Sequence, residues 1–167
     1  MNEKILNRIA RWGLTLLVIF VLFLFSSVPL EFFNLGEIRP AFMLIAVYYM
    51  TILRPSIISP LLIFLIGIAL DLISSFPLGL NAFILVSVQW LVRGQRKFLL
   101  SQSFKIIWAS FFLIASASGI IQWLALSLFN FSLYSIKPVL FSALLSSFLF
   151  PLIALPLYYI HKSLIDE

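Results

Sequence analysis

Apolar residues in this chain neither alternate along strands nor keep to one helical stripe; they come in long runs broken by short polar punctuation. Six runs are legible: Trp12 to Leu30, Pro40 to Leu53, Ile57 to Ser75, Leu78 to Val92, Ile106 to Phe129 and Val139 to Ile160. About 20 apolar residues suffice to cross a bilayer as a helix. The pattern therefore predicts an all-α, polytopic helical membrane protein with six transmembrane helices in a single integral membrane domain. The first run is longer than the roughly 7–15-residue apolar region of a cleaved signal and ends without a small-residue cleavage site, so it is expected to stay as a span. The second and fourth runs are short for a full crossing.

The punctuation has physical meaning. A polar connection from Glu31 to Arg39 leads to Pro40, placed in the first turn of a helix, where a missing N–H costs nothing. Arg54 and Pro55 stop the second helix, because the residue before proline is pushed out of the helical region. Pro77 and Gly79 mark a tight turn between the third and fourth helices. A basic connection holding Arg93, Arg96, Lys97 and Lys105 is expected before the fifth, and Pro151 and Pro156 should kink the sixth.

Composition removes the soluble alternative. Hydrophobic residues make up 63% of the 167 and charged residues 10%, against roughly 25% charged in an average soluble domain. Mean hydropathy is +1.16. The net charge of +5 would raise the question of nucleic acid in a soluble chain, but here it is a topology signal. With the amino end inside, the cytoplasmic set is Lys4, Arg8, Arg11, Arg54, Arg93, Arg96, Lys97, Lys105 and Lys162, against Arg39 and Lys137 outside. Both termini are thus expected in the cytoplasm. Without cysteine there is no disulfide, thiolate metal site or cysteine nucleophile.

Asp71 is the one acidic residue inside a predicted span, and an intramembrane carboxylate is a functional candidate because its desolvation is costly. It sits at the end of the third helix, where the macrodipole disfavours negative charge, so a compensating donor is expected. Arg39 and Asn81 are the candidates; a plainer role has Asp71 hydrogen-bonding the Ser74 to Gly79 turn and pinning it against the second helix. Gly67, four residues earlier on the same face, would let a neighbouring backbone approach closely. Ala115 with Gly119, and Ser142 with Ser146, repeat that small-residue spacing, and Gln89 and Gln122 can bond between helices. His161 is the lone histidine, lies past the last span and reads as an interfacial side chain. No nucleophile–base order, phosphate-binding glycine loop or metal-ligand spacing is present, and no cofactor is expected. A scaffold or binding protein fits better than an enzyme or a proton-driven pump.

From Arg39 to Arg93 the order Arg39-Pro40, Tyr48-Tyr49, Arg54-Pro55, Gly67, Asp71-Leu72-Ile73-Ser74 and Pro77-Leu78-Gly79 resembles the rod shape-determining protein MreD family. Length and six-span layout agree; where Ser75 stands the family commonly has glycine. The resemblance implies a multi-pass component of the bacterial cytoplasmic (inner) membrane that belongs to the cell-elongation complex and regulates cell shape and lateral peptidoglycan synthesis without catalysing a reaction. It implies the bitopic protein MreC as direct partner and, through it, MreB filaments, the RodA polymerase and a penicillin-binding transpeptidase. The structural or partner-binding candidates are Arg39, Pro40, Arg54, Pro55, Gly67, Asp71, Pro77, Leu78, Gly79 and Asn81.

Two alternatives differ in class. A substrate-binding S-component of an energy-coupling-factor vitamin transporter is similar in layout, a six-helix family that MreD is thought to resemble in fold. Those subunits dock through alanines four apart in the first helix, where this chain has bulky side chains from Leu14 to Phe25. A lipid transferase would need polar groups converging at one membrane face, and only Arg39, Asp71, Asn81 and Lys137 share the outer side.

Overall fold

The computed structural model describes residues 13, 17, 19–26, 41–53, 55, 58–74, 76–131 and 136–163, the last nine of them by backbone alone. The described residues are helical with short turns and contain no strand. The helices are α1, described over 19–26, α2 (Phe42–Leu53), α3 (Pro60–Ser74), α4 (Leu80–Leu100), α5 (Phe104–Phe129) and α6 (Lys137–Ser163). Arg39, Pro40 and Arg54 lie outside the described residues, as do Lys4, Arg8 and Arg11.

Local chemistry explains the boundaries. Pro60 opens α3, and the Ser59 hydroxyl accepts a hydrogen bond from the Leu62 amide at 3.1 Å, a serine N-cap on a proline-led first turn. The helix therefore starts three residues later than the apolar run suggests. Pro138 likewise occupies the first turn of α6, which begins at Lys137 and stays helical through Pro151 and Pro156.

The largest departure from expectation is α4. It does not stop at Val92 but continues to Leu100, so Arg93, Arg96 and Lys97 are helical residues and not a connecting loop. Only Ser101 to Ser103 link it to α5, whose first turn holds Lys105. Arg, Gln and Lys end a hydropathic run but are good helix formers, so hydropathy and backbone part company at this point. At 1.5 Å per residue the 21 residues of α4 are about 32 Å long, enough to cross a hydrocarbon layer.

The shortness of α2 has a different explanation. Every residue from Met43 to Ile52 is buried, so the 12-residue helix is the axis of the bundle, covered by α4, α5 and α6. A helix enclosed by protein need not match lipid thickness. Tyr48 anchors it: its ring lies edge-on to Phe111 (centroids 5.4 Å) and Phe150 (5.8 Å), which stack on each other at 4.6 Å. Its hydroxyl lies 2.7 Å from Ser110 Oγ and donates to the Ile107 carbonyl at 3.0 Å. α5 and the Lys137–Ala154 part of α6 are long and apolar enough to cross a membrane, and both turn large apolar side chains outward, Leu113, Leu128 and Phe148 among them. They pack on each other where Gly119 meets the Val139 side chain, and the Trp108 indole donates to the Ser147 carbonyl at 2.7 Å.

Candidate functional site

A glycine sets up the meeting of α3 and α4. A β-carbon on Gly67 would stand 2.3 Å from the Ala82 Cα and 2.6 Å from its amide nitrogen, so the two backbones are in direct contact there. One turn further along α3, the crossing brings Asp71 over the first turn of α4. Asp71 is fully buried. Its Oδ2 accepts a hydrogen bond from the Gly79 amide at 2.8 Å and its Oδ1 one from the Asn81 amide at 2.9 Å.

Those amides are among the four that every helix leaves unpartnered at its N-terminus. The N-cap of α4 is Gly79, which has no side chain to supply the acceptor and holds a left-handed conformation, φ +95°, that glycine adopts without strain. The cap comes instead from the preceding helix. A carboxylate at an N-terminus also meets the positive end of the macrodipole, which offsets its unfavourable position at the C-terminal end of α3. The turn is closed by the Phe76 amide on the Asp71 carbonyl at 3.2 Å and the Leu80 amide on the Pro77 carbonyl at 3.1 Å. Asn81 then extends the network, its Oδ1 accepting from Gln122 Nε2 of α5 at 2.8 Å.

A complementary arrangement occupies the far half of α4. Arg96 Nε donates to the Ile52 carbonyl at 2.8 Å, one of the last four carbonyls of α2. Arg93 donates through one terminal nitrogen to the Pro55 carbonyl at 2.6 Å and the Ile58 carbonyl at 3.3 Å, and Gln89 Nε2 donates to Ile58 at 2.8 Å. Cations thus sit where α2 presents the negative end of its dipole. α4 is a tie-bar, held at its start by a carboxylate and holding the end of α2 through Arg96 and the segment after it through Arg93.

The sequence model of the rod shape-determining protein MreD family matches residues 7–160. This chain belongs to the MreD family. No curated protein and no solved structure matches it significantly. Membership in MreD implies a role in rod-shape determination, and the family is a membrane-associated structural component rather than a known enzyme.

Of the candidates carried from the sequence into this MreD chain, Asp71, Gly79 and Asn81 come together in one hydrogen-bonded unit, with Gly67 at the helix contact one turn away and Pro77 and the exposed Leu78 in the turn it closes. Pro55 lies elsewhere, beneath Arg93. Arg39, the first-choice partner for Asp71, lies outside the described residues, and the turn amides take both carboxylate oxygens. Asn81 acts on Asp71 through its backbone, while its side chain serves Gln122. Unanticipated were the roles of Arg93 and Arg96 as donors to α2 and the following segment. Their spacing with Gln89, three and four residues on one helical face, was the available signal. Among the described residues no cluster of three metal-ligating side chains occurs.

Proposed function

We propose that this chain is a six-span, multi-pass protein of the bacterial inner membrane, with both termini cytoplasmic, that acts without catalysis in the cell-elongation complex. In this reading it regulates shape and lateral peptidoglycan synthesis by binding an MreC-like bitopic protein and, through it, MreB filaments, RodA and a penicillin-binding transpeptidase. One observation carries the scaffold role: Asp71, the single carboxylate within an apolar run, has each oxygen engaged by a backbone amide of the α3–α4 turn. A carboxylate so placed builds a rigid corner. Proton relays need several ionisable groups in series.

The surface that this corner presents is apolar and faces outward: Leu61, Leu65 and Leu72 on α3 and Leu78 in the turn are all exposed. Within a bilayer such a face suits a neighbouring transmembrane helix, because association there depends on close packing and not on expelling water. A photo-crosslinking side chain at Leu65, Leu72 or Leu78 is expected to capture MreC in cells, and one at Leu124 or Leu144, on α5 and α6, is not. Capture of MreC from α5 and α6 alone refutes the assignment of this surface.

A further inference from the structure

The far half of α4 carries more positive charge than its bonds to α2 and the following segment use. Arg93 spends one terminal nitrogen on carbonyls, Arg96 its Nε, and Lys97 is exposed one turn beyond Arg93. From position 38 to 165 the chain has a single carboxylate, Asp71, and it is bound at the other end of α4. Asn81, whose amide it holds, lies twelve residues before Arg93, about 18 Å along the helix. That exceeds the roughly 8 Å over which exposed charges act at physiological salt.

Beside these cations the outer face of α4 has a shallow, open groove of about 450 Å³, lined by Trp90, Leu91, Arg93, Gly94 and Gln95 of that one helix. Its floor is Gly94, an exposed glycine in a helix interior, where glycine costs stability relative to alanine. Nothing lies within 4 Å of where its β-carbon would be, so packing within the protein does not account for it. Phe83, Ser87, Trp90 and Gly94 fall on one face of α4 and all four are exposed, Trp90 at 79%. An apolar strip thus runs from the groove toward the N-terminal half of the helix.

We propose that this groove binds an anionic phospholipid, its headgroup phosphate held by Arg93 and Lys97 and one acyl chain lying along Trp90 and Phe83. Guanidinium and ammonium groups supply the phosphate contacts, tryptophan prefers the depth where headgroup meets chain, and Gly94 leaves room for the glycerol backbone. The apolar strip favours a lipid over an acidic peptide, which would leave it uncovered. The inference rests on the reading that α4 crosses the bilayer.

The test uses the full chain purified in neutral detergent, equilibrated with equal amounts of phosphatidylglycerol and phosphatidylcholine and examined by native mass spectrometry. Phosphatidylglycerol is expected to be retained in excess, and Lys97→Gln to reduce that excess about fivefold, the effect of one basic side chain near an anionic surface. Gly94→Leu should abolish retention without lowering the Tm in lipid-free detergent, since its side chain enters open space and leucine favours the helix more than glycine does. Equal retention of the two lipids by the parent chain, or undiminished preference in both variants, overturns the proposal. Displacement of the lipid by inorganic phosphate or polyglutamate at matched concentration also overturns it, revealing an anion or peptide site. Cysteine labelling of the α4 ends tests the bilayer crossing separately, so a chain that crosses but shows no preference sinks the groove alone.

Discussion

Asp71 concentrates the energetics of the corner in two bonds. Hydrogen bonds to a charged acceptor contribute about 1.5–3 kcal/mol each, and a buried amide left without an acceptor carries its own desolvation cost. Asp71→Ala removes both acceptors from the α4 amides, so a loss of about 3 kcal/mol is expected in thermal unfolding in detergent. Asp71→Asn keeps the shape and one acceptor oxygen but turns an N–H toward an N–H, and should cost about 2 kcal/mol. Rod-shape complementation should decline with folded protein in both variants. Full stability of Asp71→Asn together with complete loss of complementation would show instead that the carboxylate serves function beyond holding the corner. That a carboxylate at this position needed donors was legible from its place at the end of α3, and so was its bond to the Ser74 to Gly79 turn, which the Gly79 amide makes; the helix it pins the turn against is α4 and not α2. Asn81 was legible as a donor by its place just after the turn, but not that its backbone amide would serve Asp71 while its side chain serves Gln122, because the geometry that points the Gly79 and Asn81 amides at one spot exists only after folding.

At the scale of helices, the contact between α3 and α4 is set by what Gly67 lacks. The missing side chain would strike the Ala82 backbone, so Gly67→Ala has to push the two helices apart, and Asp71, one turn along, would lose its hold on the α4 amides. A cost of about 3 kcal/mol is expected, at the upper end of overpacking penalties. Adding Ala82→Gly should not rescue it, because the nearest clashing atoms are the Cα and amide nitrogen of residue 82, which glycine retains. Recovery of the parent Tm in the double variant would place the obstruction in the Ala82 methyl group and refute the backbone contact. The small residue at 67 and the turn at Pro77 to Gly79 were readable because sterics and proline leave marks in the sequence. The length of α4 was not, since hydropathy falls at Arg93 while helix propensity does not. The shortness of α2 was equally open to misreading until its burial on all sides showed that it needs no lipid match.

In the proposed bilayer setting the whole molecule is stabilised differently from a soluble bundle. If lipid replaces water outside, covering an apolar side chain with another brings little hydrophobic gain, and helix association depends on packing and on polar groups with no alternative partner. The interhelical bonds fit that condition: Asp71 with α4, Asn81 with Gln122, Arg96 with Ile52, Tyr48 with α5, and the Ala41 amide with Ser146 of α6 at 2.9 Å. α4 takes part in the first three, so whether it crosses the bilayer, as proposed, decides the topology of the rest. Its opposite ends are the turn at Leu78 and the short connection at Ser101 to Ser103, separated by a helix of about 32 Å. Because the chain has no cysteine, single cysteines report without background. In intact cells a membrane-impermeant maleimide should label Leu78→Cys and spare Ser101→Cys, which becomes reactive once the inner membrane is opened. An amino-terminal cysteine should follow Ser101, since in the proposed topology the same charge preference places the cationic side chains of both segments on the cytoplasmic side. Labelling of Leu78 and Ser101 from one side would make α4 a re-entrant or surface helix, and the clustering of Arg93, Arg96 and Lys97 at its far half would then need a cause other than membrane orientation.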